Sequence, residues 1–145
     1  MSALLEMKGI SKRFLGVRAL KGVDFELRRG EVHALVGENG AGKSTLMKVL
    51  TGIYQPDDGE IFFEGKPYAV KNIGEAQALG IAMIHQELNM MNDLTVAQNV
   101  FIGREIKKGF WLKDAEMVKE TQKIFDRIGI KIDPKMQLGR LTVGK

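Results

Sequence analysis

The chain has 145 residues, with 22 Lys and Arg against 18 Asp and Glu, a formal charge of +4 and a pI near 9.3; that length fits one ordinary domain or part of a larger one. Apolar residues at 44% and charged residues at 28% exclude a disordered or fibrous chain, and the lack of cysteine excludes disulfides, thiolate metal sites and cysteine nucleophiles. No run approaches the roughly eighteen apolar residues of a membrane span, and acidic residues alternate with basic ones nearly throughout, so the basic pI reads as a mixed solvated surface and no nucleic-acid partner is expected.

The start MSALLEMKGISKRF has no basic segment ahead of its short apolar stretch, which predicts no signal peptide and a soluble chain in the cytoplasm. Leu4 to Lys8 is a brief apolar run, and Ala19 to Leu27 carries the alternation Leu20, Val23, Phe25, Leu27; both predict strands. Arg28-Arg29-Gly30 is a turn leading into Glu31 to Val36, a nearly continuous apolar run that predicts a strand covered on both faces, with His33 inside it. Gly37 to Gly42 breaks the pattern, and Leu46, Val49, Leu50 and Ile53 then recur at helical spacing from Lys43, with Gly52 and Pro56 limiting the far end.

Pro56-Asp57-Asp58-Gly59 has turn chemistry at every position, and Glu60 to Phe63 predicts a strand leaving it. Asn72 to Leu79 predicts a short helix closed by Gly80, and Ile81 to Ile84 a compact strand ending at His85-Gln86. Beyond Gln86 the character turns helical, with helices predicted over Thr95 to Ile102 and Asp114 to Ile128. The second has Asp114 as candidate N-cap, a stripe of Met117, Thr121, Ile124 and Ile128, and Gly129 as its stop. The expected organisation is therefore α/β: a strand-rich part over 1–87 and a mostly helical part over 88–145.

Of the 17 glycines, three fall in one place. Gly37-Glu38-Asn39-Gly40-Ala41-Gly42-Lys43-Ser44-Thr45 satisfies G-x-x-x-x-G-K-[ST] between a predicted strand and a predicted helix, the context a phosphate-binding loop requires. Backbone N–H groups must converge on phosphate oxygens there, closer than a Cβ allows, and the new helix adds its positive end. Lys43 can reach the β- and γ-phosphates as a point charge, the Ser44 hydroxyl suits a bridging Mg²⁺, and Thr45 supports the helix start.

Taken together, Phe14, GENGAGKST at 37–45, Gln86 after an apolar run, and Leu141-Thr142-Val143-Gly144 resemble the ATP-binding subunits of ABC transporters along essentially the whole chain. The wording TGIYQPDDGEI (51–61), IHQELN (84–89), DLTVAQNVFIGRE (93–105) and LGRLTVGK (138–145) is similar to the monosaccharide-importing subfamily, the ribose and galactose type. The resemblance implies a P-loop NTPase fold with a partial helical subdomain, ATP and Mg²⁺ as cofactors, and an ATPase coupled to sugar import in the intact protein. It implies membrane-spanning permease subunits and a second nucleotide-binding domain as partners, an external sugar-binding protein acting indirectly, and a place on the cytoplasmic face of the membrane.

Position by position, the resemblance makes Phe14 the aromatic that stacks on adenine, with Val17 beside the ring; an ordinary core aromatic is the other reading of Phe14. Gln86 matches the glutamine that touches Mg²⁺ and the attacking water, and Lys43 and Gln86 are the two residues of this chain assigned to the reaction. Thr142 and Gly144 match the signature loop that meets the γ-phosphate held by the opposite protomer, while Val143 and Lys145 depart from its usual wording. Met90 and Met91 either adapt to the membrane subunit or fill the helical part's own core.

Hydrolysis in the family uses an Asp at the end of an apolar strand, then a Glu, then a later His. No apolar run ending Asp-Glu occurs in these 145 residues; Ile130-Lys131-Ile132-Asp133 is interrupted by its lysine and followed by Pro134. The expectation is a chain that stops ahead of that strand, binds ATP–Mg and turns it over negligibly. The readings kept beside it are a nucleotide-binding module without turnover and a non-transport ABC ATPase.

Overall fold

The computed structural model describes residues 3–85 and 90–141. The chain divides into two compact units, Met1–Ile84 and His85–Lys145.

In the first unit, β1 (Ala3–Phe14) and β2 (Val17–Arg28) form a long antiparallel hairpin whose register runs from Ala3 opposite Arg28 to Phe14 opposite Val17. Leu15 and Gly16, at φ 41° and 87°, make its two-residue turn. The other edge of β1 takes β3 (Asp58–Phe63), which turns through Glu64-Gly65 into the short β4 (Lys66–Pro67), so the sheet order is β2-β1-β3-β4 and every pairing is antiparallel. Helix α1 (Lys43–Leu50) lays Leu46 and Val49 on this sheet, and α2 (Ile73–Ala78) adds Ala76. The resulting core holds Leu5, Met7, Ile10, Leu20, Leu46, Val49, Ile61, Tyr68, Val70 and Ala76. Tyr68 sits in it because its hydroxyl donates to the Leu50 carbonyl at 2.7 Å. Burial pushes that phenol up from its ordinary pKa.

Two predicted strands of this unit do not form. Residues 31–36 and 81–84 make no ladder; Val32 is 99% exposed, Val36 87% and Ile84 97%. An apolar run becomes a strand only when another strand takes up its N–H and C=O groups. Among the described residues none pairs with either run, and the parallel sheet implied by the fold class is accordingly absent from them. His33, expected inside a strand, instead lies in extended chain, edge-on to Phe25 at 4.9 Å and 3.3 Å from Glu31.

The predicted turn at 56–59 is shorter than expected, because Asp58 and Gly59 already belong to β3. Asp57 latches the turn to the hairpin: its carboxylate accepts from Lys12 Nζ at 2.7 Å and from the Arg13 N–H at 2.7 Å. The Lys12 hydrogen bond, then the Arg13 N–H, hold this carboxyl below the usual aspartate range. A depressed pKa gives stability that is present above about pH 3.9 and lost as the pH falls through the lower folded value. Acid titration of the first unit is therefore expected to lose stability across that window, and Asp57→Asn to flatten the slope; an identical pH profile in the variant contradicts the latch.

The second unit is built on α3 (Val96–Val100) and α4 (Asp114–Ile128). Thr95 caps α3 in a capping box with Gln98. The chain over 134–138 runs back beside α3, with the Val96 N–H donating to the Met136 carbonyl, the Ala97 N–H to that of Pro134 and the Leu138 N–H to that of Leu94. Between the helices lies a small hairpin, β5 (Lys107–Lys108) and β6 (Trp111–Leu112).

Two details of α4 differ from the sequence pattern. Lys113 occupies the N-cap and Asp114 is the first helical residue, where its charge favours the positive helix end. The buried stripe is Met117, Thr121 and Phe125, while Ile124 and Ile128 are 44% and 60% exposed, because the packed face follows the four-residue spacing from Met117. Thr121 is fully buried and its hydroxyl has no partner among the described residues. Removing an unsatisfied buried donor while keeping the side-chain shape is stabilising. Thr121→Val is expected to raise the unit's stability by about 1 kcal/mol in denaturant titration; a loss of stability contradicts the assignment.

Candidate nucleotide site

The glycine-rich loop leaves residue 36 in extended chain and enters α1 at Gly42, the N-cap, in the left-handed region at φ 90°. A Cβ on Gly42 would lie 2.6 Å from the Ala19 carbonyl oxygen and 2.9 Å from Leu20 Cδ2. Gly42 thus presses the loop against β2, two residues past Val17. Gly40 also has φ 86°, with nothing within 4 Å of its Cβ direction.

Lys43 folds back over the loop, its ammonium donating to the Gly37 carbonyl at 2.5 Å and to the Glu38 carbonyl at 2.8 Å, while the Ala41 N–H donates to Glu38 at 3.1 Å. The first helical turn shows the complementary need. Among the described residues, none of the N–H groups of Gly42, Lys43, Ser44 and Thr45 donates to a protein acceptor, and no side chain caps the helix. Four donors without a protein acceptor among the described residues, an ammonium and the positive end of a helix are the chemistry an anion cradle needs. The exposed Ser44 hydroxyl stands at the same turn. Among the described residues no group of three His, Cys, Asp or Glu could hold a metal on its own. A Mg²⁺ at this turn would meet the Ser44 hydroxyl, a hard oxygen donor of the kind that ion takes.

Phe14 ends β1 directly opposite Val17 at the hairpin tip, and Val17 is 67% exposed. The Phe14 ring is partly buried and meets Tyr54 edge-on, with centroids 4.9 Å apart and planes at 65°. Lys12 Nζ lies 5.7 Å from the Phe14 centroid, and Lys48 Nζ 5.7 Å from that of Tyr54. Tyr54 escaped the sequence reading because it lies past α1, forty residues from Phe14, and no motif spacing connects the two.

Gln86, Thr142 and Gly144 lie outside the described residues, as do Val143 and Lys145. Met90 and Met91 are 48% and 56% exposed, which removes the reading in which they fill the second unit's own core. Asp133 accepts from the Lys135 and Met136 N–H groups in a turn, as a loop residue does. His85 is exposed.

A family model described as ABC transporter matches residues 20–145. The chain belongs to the ABC transporter family. It is 53% identical over 99% of its length to a Burkholderia ambifaria protein provisionally named a ribose/galactose/methyl galactoside import ATP-binding protein, of which it covers 28%. It is 52% identical to a xylose import ATP-binding protein of Geobacillus kaustophilus, covering 99% of this chain and 29% of that protein. A ribose import ATP-binding protein of Rubrobacter xylanophilus is 48% identical over the whole chain, which again covers 29% of it. Among solved structures, a nucleotide-free ATP-binding cassette from an ABC transporter superposes with TM-score 0.81 at 30% identity, over 97% of this chain and 60% of that one. The ADP conformation of an ATP-binding cassette gives TM-score 0.80 at 30% identity, over 98% and 60% respectively. The ABC chain described here therefore spans less than a third of the length of these curated relatives, and its P-loop NTPase fold is that of the cassettes. No helix among its described residues is long and apolar enough to cross a membrane.

Tyr54 yields a prediction of its own within this ABC cassette. An edge-to-face aromatic contact contributes about 0.5–1.5 kcal/mol beyond area burial. Tyr54→Leu is expected to weaken adenine-nucleotide binding by about two- to tenfold while leaving inorganic triphosphate binding unchanged. Equal weakening of both ligands would show that Tyr54 supports the loop and not the ring.

Proposed function

We propose that this chain supplies the phosphate- and adenine-binding part of the ATPase of a monosaccharide importer. The observation that carries the reading is the first turn of α1, where four N–H groups lack protein acceptors among the described residues and the Lys43 ammonium lies on the carbonyls of Gly37 and Glu38. The relatives named as sugar-import ATP-binding proteins supply the substrate class.

In this reading Gly37, Glu38, Asn39, Gly40, Ala41 and Gly42 shape the cradle, and the N–H groups of residues 42–45 donate to phosphate oxygens. Lys43 turns from its two loop carbonyls toward the terminal phosphates, which replace those acceptors with charged ones. Ser44 and Gln86 would hold Mg²⁺, which neutralises charge on the transferring phosphoryl group. Phe14 would stack on adenine, with its ring held by the edge-on contact to Tyr54 and with Val17 beside it. Thr142 and Gly144 would meet the nucleotide of a second nucleotide-binding domain, so that ATP closes two such domains and hydrolysis reopens them. That cycle would drive alternating access in membrane-spanning permease subunits at the cytoplasmic face, to which an external sugar-binding protein delivers the sugar.

A nucleotide titration series followed by copurification tests this. ATP–Mg is expected to bind more tightly than ADP–Mg, and AMP least, because affinity follows the phosphates that reach the cradle. The chain is expected to copurify with a membrane-spanning subunit. Equal affinity for AMP and ATP, or copurification with nucleic acid alone, overturns the reading.

A further inference from the structure

Every strand residue of the β5–β6 hairpin in the second unit is exposed. Lys107 pairs with Leu112 and Lys108 with Trp111, which leaves Gly109 and Phe110 as the tip. Phe110 is 104% exposed, Trp111 82% and Leu112 50%. Neither aromatic ring stacks on another among the described residues. Two large aromatics left this exposed at the end of a two-residue-per-strand hairpin find little packing among the described residues, and exposed apolar side chains of this size mark a surface that something covers.

The charge around the tip says which surface. Residues 104–113 contain Arg104, Lys107, Lys108 and Lys113 against one carboxylate, Glu105. Lys107 lies 3.4 Å from Glu105, and Lys113 lies 2.7 Å from Glu116 of α4. Lys108, paired across the hairpin with Trp111, has no carboxylate within ion-pair distance among the described residues. A protruding aromatic tip ringed by lysines matches the chemistry of an interfacial anchor: the rings enter the headgroup layer, and the lysine stems lie along it with their ammonium groups on phosphates. We propose that the Lys107–Leu112 hairpin docks directly on an anionic lipid surface, with Phe110 and Trp111 inserted and Arg104 and Lys108, the two cations here without an ion-pair partner among the described residues, facing lipid phosphates.

Trp111 is the chain's single tryptophan, so its emission reads this hairpin and no other part of the molecule. The 145-residue chain is titrated with vesicles of phosphatidylcholine containing phosphatidylglycerol, and with vesicles of phosphatidylcholine alone. With the anionic vesicles, Trp111 emission is expected to move to shorter wavelength and to become protected from an aqueous quencher, and both effects to weaken at high salt. Lys108→Gln is expected to lower partitioning about fivefold and Phe110→Ser about tenfold or more, with far-UV circular dichroism unchanged because both side chains are exposed. The proposal is overturned by cosedimentation with vesicles while Trp111 emission and quencher access stay unchanged, by equal partitioning onto the two vesicle types, or by full binding of Phe110→Ser. Emission that shifts only when the vesicles carry membrane proteins assigns the hairpin to a protein partner and overturns it equally.

Discussion

Replacing Lys43 with alanine is expected to weaken ATP–Mg binding by about 10- to 150-fold, the range given by a hydrogen bond to a charged group of about 1.5–3 kcal/mol. The ammonium sits on the carbonyls of Gly37 and Glu38, so the side chain braces the loop, and in the proposed function it also carries the charge that terminal phosphates would meet. AMP separates these roles, since it presents no β- or γ-phosphate to Lys43. AMP affinity is expected to change little in the variant. A parallel loss for AMP and ATP would reduce Lys43 to a brace, and an unchanged ATP affinity would remove it from the site altogether.

The second large effect concerns Gly42. Alanine there must adopt φ near 90° and place its Cβ 2.6 Å from the Ala19 carbonyl oxygen, which is backbone of β2 and cannot step aside cheaply. A left-handed non-glycine residue alone costs about 1–3 kcal/mol. Gly40 isolates that conformational cost, because it has φ 86° and an open Cβ direction. Gly40→Ala is expected to destabilise the first unit by about 1–2 kcal/mol, and Gly42→Ala by at least about 1 kcal/mol more, read by denaturant titration. Gly42→Ala is also expected to shift α1 relative to β2 and lose nucleotide binding. Equal destabilisation by the two variants would mean that the loop is not held against β2.

What could be read in advance follows from what each element needs in order to form. α1 and α4 were legible because their signals are local: helical spacing of Leu46 and Val49 after Gly42, and of Met117 and Thr121 before Gly129. The β1–β2 hairpin was legible in outline, since Leu20, Val23, Phe25 and Leu27 alternate toward one face, although it runs to Phe14 and Val17, well past the apolar stretches. The strands expected at 31–36 and 81–84 failed for the opposite reason. Their apolar character was correct, but a strand is a property of two segments, and a run that no other segment pairs with among the described residues leaves Val32, Val36 and Ile84 in water. The phosphate loop was legible because its chemistry is written in contiguous residues. The Tyr54 contact with Phe14 was not, because it is made by folding.

Whether the first turn of α1 holds nucleotide phosphates is tested most directly by amide chemical shifts of the labelled chain during ATP–Mg titration. The N–H signals of Gly42, Lys43, Ser44 and Thr45 are predicted to move together and farthest, saturating with the same affinity as the shifts of Phe14 and Tyr54. Saturable ATP binding that moves other amides and leaves those four in place would contradict it.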